Sequence, residues 1–192
     1  MHQRIKNQTL HKSQEIIIIS SVPPAPTTGG EILLYRHFYG SDAKSRDWNI
    51  QLFGEDLAGR RLLGLGILKC AALRLSRTRY RFLGNDLAVI EGGRWMDKRL
   101  VNKMPQNRAS LVLTVAHGNL FEAAQRYAKR HHLPLATFFH DWWPDMPYVH
   151  KPFRKILDRK FRRLYARSQI AFCVSEGMKK ALGPHPCSHV LY

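Results

Sequence analysis

Acidic residues are scarce in this chain: 14 Asp and Glu stand against 31 Lys and Arg, giving a net charge of +17. Such an excess predicts attraction to an anion, whether nucleic acid, an acidic membrane leaflet or a phosphorylated substrate. Cysteine is also sparse. Cys70, Cys173 and Cys187 are far apart and form no Cys-x-x-Cys pair, which excludes a disulfide framework and reads as reduced thiols in a cytoplasmic protein. The row His185-Pro186-Cys187-Ser188-His189 matches no zinc spacing. No apolar run reaches the roughly 20 residues of a membrane span. The best candidate, Leu62 to Leu75, is shorter and is interrupted by Lys69. Ile16 to Ile19 is too short for the core of a secretory signal. The chain is therefore expected to be soluble or to lie on a membrane surface. The dinucleotide fingerprint Gly-x-Gly-x-x-Gly is missing, since Gly64-x-Gly66 runs on to Lys69 inside a helical pattern, and there is no Gly-Lys-Ser/Thr phosphate loop. No helix-turn-helix, zinc finger or aromatic RNA platform is evident, so no nucleic-acid partner is expected.

What is present is an alternation. The length of 192 residues, a 44% hydrophobic content and four Trp suit one folded domain. Residues 1–14 read as a flexible polar tail and 15–192 as the domain. Glu15 to Ser21 is a β-branched run of the kind buried in a parallel sheet. Val22 to Gly30, with three prolines and two adjacent glycines, reads as a loop, and Glu31 to Tyr39 as a helix. Trp48 to Phe53 is a second strand, and residues 60 to about 105 have a helical pattern that is hard to divide. Then follow strand Leu111–Ala116, helix Leu120–His131, strand Pro134–Phe139, helix Lys151–Arg167, strand Ile170–Val174, helix Glu176–Leu182 and a strand from His189. This order predicts an α/β fold: a Rossmann-like, mostly parallel sheet with helices on both faces.

Ligands of such sheets bind beyond the C-terminal ends of the strands, so the loops there carry the functional information. Gly29 and Gly30 would let backbone approach a phosphate or a sugar hydroxyl at a helix N-terminus, although a simple tight turn explains them equally well. His117 follows LVLTVA directly and could exchange protons near neutral pH or serve only structure. His140-Asp141-Trp142-Trp143 joins an ionisable pair to aromatics on which sugars stack, or it caps the core. A metal set of His140, Asp141, Asp145 and His150 lacks ordered spacing, and no metal is expected. Ser175 is a good helix cap, and Glu176 suits the helix dipole.

As a set, EIIIISSVPPAPTTGGE, LVLTVAHGN, LPLATFFHDWW and IAFCVSEGM, in this order and at strand ends, are more specific than their parts. Over residues 15 to 192 they resemble the N-terminal domain of glycosyltransferase family 4, whose GT-B fold sets two Rossmann-like domains across a cleft. The Gly-Gly-Glu and His-Asp-Trp-Trp elements look closest to bacterial members. The resemblance implies hexosyl transfer from a nucleotide-sugar with retention of configuration and no further cofactor. It places Gly29, Gly30 and Glu31 by the donor diphosphate and His117 at the reaction centre. Asn119, His140, Asp141, Trp142, Ser175 and Glu176 would face the acceptor, which would be a sugar, a lipid-linked sugar or a small molecule. The family's C-terminal donor domain is not recognisable, and the chain ends inside an apparent strand. It is therefore expected to be a fragment that is inactive alone. A stand-alone domain that binds an acceptor or a partner without catalysis is the alternative. Helix Lys151–Arg167 has an apolar side and eight Lys and Arg elsewhere, so its polar face is either simply solvated or rests on anionic lipid at the inner membrane face.

Overall fold

The computed structural model describes residues 14–22, 24–27, 29–40, 48–53, 67–101 and 109–191. The expected tail therefore lies outside the described residues except for Gln14, as do Gly64, Gly66 and the front of the Leu62–Leu75 run. Six strands, β1 (Gln14–Ile19), β2 (Trp48–Phe53), β3 (Ala109–Val115), β4 (Leu135–Phe139), β5 (Ile170–Cys173) and β6 (Ser188–Val190), form one sheet. Its order is β2-β1-β3-β4-β5-β6, and every neighbouring pair is parallel. The helices are α1 (Gly29–Tyr39), α2 (Ile67–Ser76), α3 (Arg81–Val101), α4 (Leu120–His131), α5 (Lys151–Arg167) and α6 (Glu176–Leu182). The helical stretch that resisted division in the sequence is the hairpin α2–α3.

Alternation along the strands sorts the core onto two faces. On one, Ile17, Ile19, Val112, Phe139 and Cys173 pack against Val89 of α3, Phe121 and Tyr127 of α4, and Leu157, Phe161 and Leu164 of α5. On the other, Ile16, Ile18, Leu113 and Phe138 pack against Leu34 and Phe38 of α1. Helices thus cover both faces. The apolar stripe foreseen on α5 is the buried one, with Phe161 completely enclosed and edge-on to Phe139 at 5.1 Å. Buried polar groups are satisfied where strands meet: Thr114 Oγ1 donates to Ile19 O at 2.7 Å, and Thr137 and Ser168 share a 2.7 Å hydroxyl contact. No helix among the described residues is long and apolar enough to cross a membrane.

One boundary differs from the sequence reading. Gly29 and Gly30, expected in the loop, are the first two residues of α1. Glycine takes α-helical angles without penalty at a helix end, and the Thr27 hydroxyl donates to the Glu31 carboxylate across that start.

The α2–α3 hairpin is closed by a single residue. A Cβ on Gly84 would lie 2.6 Å from both Ala72 O and Ser76 N, which are backbone atoms of α2. In an ordinary helix Gly→Ala stabilises; here the helices would have to separate. Gly84→Ala should lower stability by about 1–3 kcal/mol in chemical denaturation, whereas a gain in stability would mean that the two helices are not in close contact.

Candidate functional site

The pairing of β3 with β4 builds the site. Val115 is in register with Phe138. Two residues further along each strand stand His117 and His140, side by side at the C-terminal edge. Their rings stack with centroids 5.4 Å apart and planes 19° apart. Gly118, at φ 67°, turns the chain from β3 into α4 in the left-handed region that favours glycine. The strand order also reverses beside β3. β1 lies between β2 and β3, so the chain leaves β1 in one direction and passes from β3 onward in the other. His117 therefore sits at the topological switch point, where doubly wound sheets form their crevice.

Asp141 completes the cluster. Its Oδ2 is 3.0 Å from His140 Nε2, a close polar contact. The same oxygen is 3.7 Å from His117 Nδ1, too long for a hydrogen bond. His117 Nδ1 is buried and has no hydrogen-bond partner. The Asp141 side chain is 60% exposed, so the carboxylate stands at the mouth. Burial pushes the pKa of His117 below its ordinary value; the neighbouring His140 adds to this and Asp141 opposes it. Burial lowers His140 as well, against the pull of Asp141. Both imidazoles are held neutral at physiological pH, ready to exchange hydrogen bonds with an uncharged polar ligand.

The two tryptophans divide. Trp142 turns onto α5, edge-on to Phe161 at 5.3 Å and with the Arg162 guanidinium 5.2 Å from its ring. Trp143, in a short 3-10 turn (Trp143–Asp145), lies over His117 with centroids 4.0 Å apart. Trp142, expected from sequence to face the acceptor, packs on α5, and Trp143 is the indole in contact with His117. Sequence gave no means of choosing, because the choice depends on the turn after Asp141. Asn119 occupies the N-cap of α4 without a side-chain capping bond and is half-buried beside Gly118. Ser175 and Glu176 stand at the next strand tip. Ser175 Oγ accepts from Met178 N at 3.2 Å, which is a capping role, and Glu176 is exposed in the first turn of α6. Gly29, Gly30 and Glu31 open α1 after β1, the strand beside β3. Of the residues picked from sequence, His117, His140 and Asp141 come together in one cluster.

These three offer ligand atoms within 4.8 Å of one another, an open set of the size that holds one divalent cation. The set weighed from sequence does not assemble around His150. That ring instead gives Nδ1 to Asp86 Oδ2 at 2.6 Å, while its backbone N–H donates to Oδ1 at 3.0 Å. Asp86 is buried on α3, so the pair ties the end of the 140–150 loop to that helix.

The lowered imidazoles set a pH dependence. The unfolded chain takes up protons as pH falls through about 6.5, while His117 and His140 resist until their lower folded values are reached. Stability therefore rises with pH across that window and falls on acidification. Melting temperatures measured from pH 8 to pH 5 should show a shallower acid decline in His117→Gln/His140→Gln than in the parent. Equal slopes would mean that the two rings are solvated.

The sequence model of Glycosyltransferase Family 4 matches residues 58–189. The matched segment holds His117, Asn119, His140, Asp141, Trp142, Ser175 and Glu176; β1 and Gly29–Glu31 precede it. No curated protein matches the chain. With the matched segment spanning more than half of the sequence, the chain belongs to glycosyltransferase family 4.

Proposed function

We propose that this chain forms the acceptor side of a hexosyltransferase that takes its sugar from a nucleotide-sugar with retention of configuration. The observation that carries the reading is the convergence of His117, His140 and Asp141 at the switch point, under Trp143. A sugar is an uncharged ligand rich in hydroxyls with apolar C–H faces. Neutral imidazoles, an exposed carboxylate and an indole plane suit those two kinds of surface. In the transfer, the acceptor oxygen bonds to the anomeric carbon on the face from which the diphosphate departs, so the configuration is kept. The bond from that carbon to the diphosphate breaks, and the acceptor hydroxyl's proton passes to the departing diphosphate oxygen. His117 and Asp141 would hold that hydroxyl and the neighbouring ones against the diphosphate-bearing face of the anomeric carbon. A second Rossmann-like domain would supply the groups that stabilise the departing diphosphate, where charge develops. The helix start at Gly29 and Gly30 offers backbone N–H groups on the adjacent tip for a phosphate oxygen. No cofactor beyond the donor is required. Cys173 and Cys187 are free thiols, which fits a cytoplasmic location.

The test is hexosyl transfer from a panel of nucleotide-sugars by the native gene product. His117→Ala should lower turnover by about a hundredfold or more with little change in melting temperature, and the product should keep the donor's anomeric configuration. Undiminished turnover would remove His117 from the site. The 192 residues alone should transfer nothing. Transfer is expected to survive EDTA, whereas loss on chelation with recovery on adding a divalent cation would reassign the three side chains as metal ligands.

A further inference from the structure

The tip of the α2–α3 hairpin is rigid, strongly basic and apolar at once. Thr78 stitches the turn: its hydroxyl donates to Leu75 O at 2.9 Å and accepts from Tyr80 N at 3.1 Å. Around it stand Arg74, Arg77, Arg79 and Arg81, all exposed. Residues 74–85 contain no Asp or Glu. Among the described residues no carboxylate pairs with these arginines, and the nearest acid in sequence, Asp86, is buried and engaged by His150.

The apolar part is equally deliberate. Tyr80 is 46% and Leu83 52% exposed, and Phe82, Ile90 and Tyr148 join them among the exposed large side chains. Leu83 and Ile90 are seven residues apart on α3 and so share one face. Tyr148 comes from the 140–150 loop and takes φ 65°, a backbone conformation that L residues rarely adopt. Asn85 Nδ2 donates to its carbonyl at 3.2 Å, Phe82 meets its ring edge-on at 5.9 Å, and the Arg81 guanidinium lies 3.5 Å from the ring centre. The fold thus holds an aromatic side chain outward in a strained conformation.

We infer that this tip, with Tyr148, is a docking surface for an anionic lipid bilayer. Arginines at headgroup depth beside Tyr, Phe and aliphatic side chains reaching past them are the chemistry of an interfacial contact. Single-stranded nucleic acid would pair with the arginines and stack on the aromatics, but Leu83 and Ile90 would gain nothing from it. The basic helix α5, whose polar face the sequence left as either solvated or lipid-facing, has several of its cations engaged within the fold. Its Arg154 donates to Val149 O at 2.8 Å, Lys160 pairs with Glu122 at 2.7 Å, and Arg162 donates to Ala181 O at 2.8 Å. Tyr148 and Asp141 belong to one loop, so a docked tip sets the His117 cluster near the bilayer. What such docking delivers, an acceptor carried on a lipid, rests on the proposed function; the docking does not.

Co-sedimentation of the 192-residue chain with vesicles needs neither donor nor acceptor. Vesicles of phosphatidylcholine with phosphatidylglycerol should bind the chain, in a salt-sensitive way, while pure phosphatidylcholine should bind it far more weakly. Tyr80→Ser/Leu83→Ser should weaken binding at least about tenfold, and Arg77→Gln/Arg79→Gln roughly thirtyfold. Arg163→Gln/Arg167→Gln on α5 should stay within about threefold of the parent, since exposed charges away from the contact add only through the general field. Melting temperatures separate these losses from unfolding, and the two tip variants share one contact, since Arg79 donates to the Tyr80 hydroxyl at 2.7 Å. The inference is overturned if both tip variants bind like the parent, or if the α5 variant is the one that loses binding. It is overturned in favour of nucleic acid if the chain ignores acidic vesicles yet binds a single-stranded oligonucleotide through the tip.

Discussion

The register between β3 and β4 is the constraint on which the site depends. Parallel pairing of Val115 with Phe138 brings two histidines, 23 positions apart in the sequence, into ring contact. A slip of one residue would send His140 to the opposite face and would take Phe139 away from Phe161 and Tyr165 at the same time. Site and core are therefore specified together. The hydrophobic alternation that buries Phe139 against Phe161 and Tyr165 also aims His140 at His117.

Around that pair, polar chemistry and packing share one loop. Residues 140–150 supply His140 and Asp141 to the cluster, Trp142 to the flank of α5 and Trp143 to the face of His117. An ionisable pair in such a setting is shielded by aromatic walls that also hold its geometry. This is how the cluster acquires lowered imidazole pKa values.

The alternating order of elements was plain in the sequence because β-branched runs and amphipathic helices have different periods. α4, α5 and α6 fall on the residues the pattern indicated. The tips of β3 and β4 were equally legible, since a charged or polar residue directly after an apolar run marks a strand's end. Less legible was anything decided by turns or close approach. The division between α2 and α3 depends on Gly84, whose role is visible only against the backbone of Ala72 and Ser76. Which tryptophan meets His117 depends on the 3-10 turn, and the meeting of Asp86 with His150 crosses 64 positions of sequence. The Gly29-Gly30 pair read as loop because glycine usually breaks helices, but at a helix's first residues that propensity has little weight.

The clasp of Asp86 on His150 has a mechanical consequence. The 140–150 loop leaves the sheet at Phe139 and is fastened again to α3 at its far end, with Tyr148 held between by Asn85. A segment pinned in this way has little conformational freedom left for a ligand to remove, so association there would carry a small ordering penalty. It also means that a push on α3 reaches the loop at Tyr148 and His150. The hairpin and the outer half of that loop are thereby joined.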